Sequence, residues 1–535
     1  MNIVNKKILS DLEINNKVIP NINFTITTYG KNKFSELFNI MYYSKETLMR
    51  RKQIIQSIIT NQINMNKIIT ELKKIKKYEN DVIWLFNSIE KGHKDLYFSN
   101  DIFNTQDLLS IKNFLKTYTP GLVILVYLII YIVMRYSGIN IDIKTYFLNI
   151  YESYKMVISG LLVLFLENIK FISLLTNILA TSYILFQLYS MYNSFDSSIT
   201  HYNKCSDFNK HIQNIRYLIN SIKKIYKLDT FFIYEKQLLL NNIKICSDVF
   251  HNDKLFKLGY KLLQKKNSNN YEKSFNNILQ YVGLIDAFIN ISKLVTINGY
   301  TFPEYDFTKN KPYITASNVW SPYINRFDQI YNDENIGTPN NIILTGPNSS
   351  GKTLYLRNAM LSVFLAQTLG VTCCNNLKFT PFNYLFTYLD IPNVSNKESL
   401  FESEILRCME YSDILEKLNQ NEYSFTIMDE LLTATNPLES MATSYAFCEF
   451  IGSFNNSLNI IATHHNELTD LANKYPNDFK NMKFAIIKNE DGTFYRSYKI
   501  SDGISNQRMA IELLKEKGYN NVIIDKAIDK ITNLN

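Results

Sequence analysis

NNIILTGPNSSGKTLYLRNAML, residues 340–361, decides how the rest of the chain is read. Ile342, Ile343 and Leu344 form a short run without a polar break, the pattern of a strand buried on both faces. Gly346-Pro347-Asn348-Ser349-Ser350-Gly351-Lys352-Thr353 then satisfies GxxxxGK[ST] at every fixed position. Small residues in such a loop let backbone N–H groups converge on phosphate oxygens at the N-terminus of the following helix. The spacing predicts Lys352 at the β- and γ-phosphates of a nucleotide and the Thr353 hydroxyl on Mg²⁺. A chance match in an ordinary turn is the competing reading, and the strand before and helix after argue against it.

Two more apolar runs end in residues of the same chemistry. In YSFTIMDELLTATNPLES, residues 423–440, the strand Ser424 to Met428 closes on Asp429-Glu430. A carboxylate at the carboxyl end of a strand beside a phosphate loop lies where a nucleotide's Mg²⁺ sits. Asp429 is expected to hold Mg²⁺ through water and Glu430 to polarise the attacking water. SLNIIATHHNELTDLA, residues 457–472, is a third strand, ending in Thr463-His464-His465. A histidine at that edge can hydrogen-bond the γ-phosphate, and His464 is assigned that part. A purely structural role is the alternative for either histidine.

The composition narrows the classes without choosing among them. A chain of 535 residues is too long for one core, so two to four packed units are expected. With 20% charged and 14% aromatic residues, global disorder is excluded. The 57 Lys+Arg against 49 Asp+Glu leave a net charge of +8, small for this length and no mark of a nucleic-acid binder. Heavy use of Asn, Ile, Lys and Tyr follows AT-rich codons, which accounts for part of the basic excess. Six cysteines without CxxC spacing point to reduced thiols in a cytosolic setting. His93, His201, His211 and His251 are scattered, against a metal site. The opening MNIVNKKILSDLEINNK lacks the apolar core and cleavage site of a secretory signal.

Residues 117–134, TYTPGLVILVYLIIYIVM, and 171–195, FISLLTNILATSYILFQLYSMYNSF, carry no charge. A bilayer core needs roughly 20 apolar residues in a helix, which the first run barely reaches and the second reaches diluted by Thr, Asn and Gln. Pro120 suits the first turn of a helix, and Tyr118, Tyr189 and Tyr192 suit an interfacial belt. MVISGLLVLFL at 156–166 is too short to span and is read as interfacial or re-entrant. A membrane hairpin is expected, with both termini on one side; a pair of helices buried in a soluble core is the alternative. Residues 44–80 and 204–295 show apolar positions at three- and four-residue spacing between charges and read as extended helical arms, with loops near Asn252 and at 267–270. The division expected is 1–116 N-terminal core and lever, 117–195 apolar hairpin, 196–305 returning lever, and 306–535 ATPase domain.

TGPNSSGKTLYLR, FTIMDELLTATNPLES and IIATHHNELT together resemble the ATPase domain of the MutS family of DNA mismatch-repair proteins. Glu398 to Glu404, ESLFESE, is similar to the segment by which that family presents a serine to the partner subunit's ATP. The resemblance therefore implies a homodimer joined through its ATPase domains, with Ser399 reaching across. It also implies ATP and Mg²⁺ as ligands. The tail from Tyr498, with Gly503, Ser505 and Gly518, resembles the end of the same domain. More weakly, residues 280–307, with Ile285-Asp286 and Pro303, and residues 27–58 resemble the family's core and lever helices. The fold implied is an α/β P-loop NTPase domain at the C-terminus, preceded by a mainly helical core and lever region.

The departures carry as much. No mismatch-reading or connector domain is expected ahead of the core-like segment in this sequence. The apolar hairpin stands where the family inserts its DNA clamp. Leu432-Thr433-Ala434 replaces the usual Gly-Arg-Gly after the two carboxylates, Glu439 stands where Asp is common, and Trp320-Ser321 replaces a usual His. Two expectations follow. In one, the chain is an ATP-hydrolysing protein linked to mismatch repair, binds DNA, and is soluble within the cell. In the other, it is a membrane-anchored mechanical ATPase with both termini and the ATPase domain on the cytoplasmic side. An inactive ATP-binding scaffold is a third.

Overall fold

The computed structural model describes residues 2–88, 91–166, 169–250, 258–347, 350–389, 391, 400–488, 494–505, 514 and 518–532. Asn348, Ser349 and Ser399 lie outside the described residues. Packing divides the chain into two compact units, Met1–Leu72 with Leu228–Tyr234 and Gln280–Asn535, and Lys73–Lys227 with Glu235–Leu279. This grouping differs from the four-part division read in the sequence.

The first unit holds the strands. In chain order they are β1 (Asn2–Ile3), β2 (Ile40–Met41), β3 (Glu304–Tyr305), β4 (Ile314–Val319), β5 (Asn332–Ile336) and β6 (Asn341–Thr345). Then follow β7 (Asn376–Phe379), β8 (Tyr384–Tyr388), β9 (Ser424–Asp429), β10 (Ser457–Ala462), β11 (Phe479–Lys488) and β12 (Phe494–Asp502). The main sheet has the order β12-β11-β6-β10-β9-β8, parallel except for β12 at its edge. Every residue of β6 and β10 is buried, as expected of parallel strands covered on both faces. Ile343, Met428 and Ile461 of the three inner strands join Phe386, Tyr411 and Ile451 in one apolar cluster. A second sheet, β3-β7-β4-β5, lies beside the first in sequence.

The N-terminal segment is built into this unit by a buried carboxylate. Asp286, on the helix Glu272–Thr296, accepts from the Ile26 and Thr27 backbone N–H groups and from Thr27 Oγ1 at 2.7 Å. Burial raises its pKa, and the Thr27 bonds oppose the rise. A Cβ at Gly30 would stand 2.1 Å from Asp286 Oδ2, so only glycine fits there. Two segments some 260 residues apart, both singled out by the resemblance, meet at this point.

The second unit is helical. Gln106–Tyr136, Ile143–Val163 and Ile169–Leu228 follow one another, the last with 60 residues and so about 90 Å long. Pro120 sits inside the first of these helices rather than in its first turn. Proline there lacks the N–H that would bond the Lys116 carbonyl. Ser198 Oγ of the long helix donates to that carbonyl instead, at 3.1 Å, and the helix continues past the proline. The stretch read as a short apolar piece at 156–166 is the end of a 21-residue helix as far as Val163, capped by the Asp142 side chain on Thr145 N. Among the described residues three helices are long and apolar enough to cross a membrane. Gln106–Tyr136 has a window of mean hydropathy 2.0 that is 6% buried, and Ile172–Leu228 one of 1.4 that is 17% buried. The third, Ser268–Thr296, is 78% buried and belongs to protein core.

One buried acid stands without compensation. Glu334 on β5 is 1% exposed, and among the described residues neither carboxyl oxygen has a hydrogen-bond partner. Burial, with Asp333 adding, pushes its pKa up to about 8. Because the folded value lies above the unfolded one, the cost linked to its ionisation is absent below its ordinary 4.5 and grows as pH rises toward 8. Glu334→Gln is expected to raise the melting temperature at pH 8 and to leave it unchanged at pH 4.5, as read by thermal denaturation at the two pH values.

Candidate active site

The carboxyl ends of β6, β10 and β9 lie side by side, with Ala462 in register with both Leu344 and Asp429. Thr463 N donates to Leu344 O at 3.1 Å and Glu430 N to Ala462 O at 3.0 Å, so the three ends are tied just where the functional residues leave them. Ligands bind outside such ends in open α/β sheets.

The loop after β6 turns on two glycines. A Cβ at Gly346 would lie 2.9 Å from Ser350 Oγ and 3.1 Å from Phe484 Cβ. Gly351 has φ +99° and caps the helix Lys352–Thr368, and a Cβ there would meet the Tyr498 ring at 3.2 Å. Lys352 opens the helix and is buried; Nζ donates to Gly346 O at 2.7 Å and stands 3.4 Å from His464 Nε2. Burial lowers its pKa, opposed by Asp429 and then Glu430. Thr353 Oγ1 donates to Asp429 Oδ2 at 2.5 Å. Ser350 Oγ is buried, with no hydrogen-bond partner among the described residues. Below the loop, Ser505 N donates to Thr345 Oγ1 at 2.8 Å, bringing the tail segment to the end of β6.

Across from the loop, Glu430 Oε1 is 3.0 Å from His464 Nε2, both side chains exposed. The hydrogen bond from His464 holds the Glu430 carboxyl below its ordinary range, against some desolvation, so the group is an anion at neutral pH. Glu430 has φ +52°, an uncommon conformation for a non-glycine residue. The two histidines separate in role. His464 faces the loop, whereas His465 Nε2 bonds Ser440 Oγ at 3.0 Å and serves the helix Pro437–Gly452. Lys352, Thr353, Asp429, Glu430 and His464 thus come together with Gly346, Pro347, Ser350 and Gly351. Among the described residues no group of three or more His, Cys, Asp or Glu forms a metal cage. A threonine and one carboxylate suit Mg²⁺, which keeps waters and leans on substrate phosphates.

Sequence reading passed over several residues that shape the site. Tyr388 OH accepts from Leu432 N at 3.1 Å, where Leu432 has φ +50°. Glu404 accepts from Ala434 N at 3.1 Å, fixing the turn that departs from Gly-Arg-Gly. A cleft of about 330 Å³ beside Gly351 is lined by Ile330, Asn332, Leu354, Phe484 and Tyr498. These positions are far apart in the chain and form no local motif; Leu354, Glu404, Leu432, Ala434 and Tyr498 lay in stretches already singled out, but nothing in those stretches showed the contacts they make.

The strand, the glycine loop, the lysine-bearing helix and the paired carboxylates form an α/β domain with the donor and acceptor set of a nucleotide site. Residues 342–535 match the family model for MutS domain V. The chain is 25% identical to DNA mismatch repair protein MutS of Thermosipho melanesiensis over 268 residues, 49% of this chain and 31% of that protein. It is 26% identical to the protein of the same name from Petrotoga mobilis, over 49% of this chain and 33% of the relative. It is also 25% identical to human MutS protein homolog 4, over 53% and 30%. These matches span about a third of each relative's length. By these matches residues 342–535 are a MutS domain V.

Gly351→Ala is expected to destabilise the protein by about 1 kcal/mol or more, from the φ value and the Tyr498 contact, and to weaken nucleotide binding. Thermal denaturation with and without nucleotide reads both effects.

Proposed function

We propose that the chain is a Mg²⁺-dependent ATPase of MutS type that works as a dimer and turns ATP-driven closure of its heads into movement of its long helices. The observation that carries the reading is the meeting of Lys352, Thr353, Asp429, Glu430 and His464 at one strand edge, with Thr353 and Asp429 2.5 Å apart. Thr353 would hold Mg²⁺ directly and Asp429 through water. The ion would screen the charge of the β- and γ-phosphates. Lys352 Nζ rests on the Gly346 and Pro347 carbonyls, contacts it can exchange for phosphate oxygens. The ionised Glu430 takes a proton from the attacking water, and His464 donates to the γ-phosphate. Ser399, by the family resemblance, contacts the partner's ATP. Helices Gln62–Phe86, Ile169–Leu228 and Glu272–Thr296 each carry the chain from one unit to the other, which suits them as levers.

Glu430→Gln keeps the shape and removes the base. Nucleotide binding is expected to persist while steady-state phosphate release falls about 10²- to 10⁴-fold. Hydrolysis at the wild-type rate would remove Glu430 from the role.

What the levers act on has two readings. The relatives' names support a DNA mismatch repair-related function. A specific observation favours a membrane anchor instead: Leu125, Val126, Ile132 and Val133 on one helix and Leu185 and Phe186 on another are each 52–64% exposed. Apolar surface of that extent is foreign to a water-facing protein. In this reading both termini and the ATPase domain are cytoplasmic. The two readings part on DNA binding measured across a salt series. The membrane reading expects no specific binding, and tight mismatch-selective binding with a steep salt slope would support the DNA reading.

A further inference from the structure

Lysines collect at the foot of the apolar helices. Lys94, Lys112, Lys116 and Lys266 line a basin of about 640 Å³ together with Asp95 and Asp101. Both carboxylates are already engaged, Asp95 with Lys204 at 2.8 Å and Asp101 with Lys266 at 2.7 Å. Among the described residues no carboxylate forms an ion pair with Lys94, Lys112 or Lys116. Lys112 Nζ donates to the Tyr97 carbonyl and stands 4.6 Å from the centre of the Phe98 ring, which holds it in the basin. Lysines thus outnumber carboxylates in the basin, four to two, and at the edge of an apolar region such a surplus suits an anion.

The helix that carries two of them indicates what kind of anion. On Gln106–Tyr136, one face runs from Lys112 and Lys116 through Thr119, Pro120, Val123 and Tyr127 at three- and four-residue spacing. Thr119, Pro120, Val123 and Tyr127 line a second, mainly apolar cleft of about 610 Å³, closed by Ile184 and Leu188 of the long helix. From Lys116 to Val123 the helix rises about 10 Å, the step from a headgroup phosphate to the upper part of an acyl chain. Ser198, bonded to the carbonyl that Pro120 leaves free, fixes the two helices at the junction of basin and cleft.

We propose that this face seats an anionic phospholipid, its phosphate on Lys94, Lys112 and Lys116 and one acyl chain in the cleft beside Val123 and Tyr127. The inference rests on the membrane reading above and gives it a chemical preference: the hairpin selects negatively charged lipid. A free phosphate ester satisfies the lysines and leaves the cleft empty, and a nucleic-acid backbone does the same. The continuity of basic and apolar surface on one helix face favours the lipid.

The test uses the full chain in phosphatidylcholine bilayers, with spin-labelled phosphatidylglycerol and phosphatidylcholine as probes of the lipid at the protein surface. Phosphatidylglycerol should be preferred several-fold. Lys112→Gln with Lys116→Gln should bring the preference close to one, since each lysine near a membrane surface contributes up to about fivefold. Val123→Trp fills the cleft and should lower the preference with every lysine in place. Glycerol phosphate and a short DNA duplex, added in excess, should leave the wild-type preference standing. Displacement by glycerol phosphate would reassign the basin to a free phosphate, displacement by the duplex would reassign it to nucleic acid, and either would overturn the proposal. Equal association of the two lipids with inserted protein would overturn it while leaving the membrane anchor intact. Failure of the chain to enter the bilayer would overturn both.

Discussion

The 2.5 Å hydrogen bond from Thr353 to Asp429 joins two points that the sheet keeps apart. β10 lies between β6 and β9, so the strand ends are about 10 Å apart across it. The loop after β6 must arch over the end of β10 for the first turn of its helix to meet Asp429. That requirement accounts for the glycines at either end of the loop and for the ties from Thr463 and Glu430 to neighbouring strands. It also accounts for the apolar burial of the helix, which fixes the direction of its first turn. A lysine is then left buried at the centre, with its charge supported by Asp429 and Glu430.

The protein carries two different solutions to burial. In the first unit, apolar side chains are removed from water by strands, helices and a buried aspartate that draws the N-terminal segment in. In the second, the apolar side chains of Gln106–Tyr136 and of the first part of Ile169–Leu228 are left largely uncovered. The polar backbone there is satisfied within the helices, and even the carbonyl freed by Pro120 has a partner in Ser198. Such a structure is costly in water and stable in hydrocarbon, where every backbone group must be paired internally.

Much of the candidate site was legible because its chemistry is local. GxxxxGK[ST] after an apolar strand, Asp429-Glu430 at the end of another and His464 at the end of a third are each written in a few consecutive residues. What could not be read is what the fold assembles from distance: Tyr388 under Leu432, Glu404 under Ala434, Tyr498 against Gly351, and Ser440 claiming His465. Glu334 gave no sign either, since one acid in a short strand reads as solvated until its face of the strand is seen to be covered. The helix Ile143–Val163 was read only as its last, apolar turns, because Lys144, Glu152 and Lys155 interrupt the run, although Asp142 supplied a cap. Pro120 misled for a physical reason: inside a helix it frees a carbonyl, and here Ser198 from another helix satisfies it.

The central claim is that a nucleotide-driven head and lipid-embedded helices belong to one chain. Partition of the full-length protein among soluble, carbonate-washed and detergent-extracted membrane fractions tests it most directly. The account predicts that the protein resists carbonate and is released only by detergent, with its ATPase activity recovered in that fraction. A freely soluble, monodisperse protein would contradict it, and would assign the apolar helices to a core closed by protein.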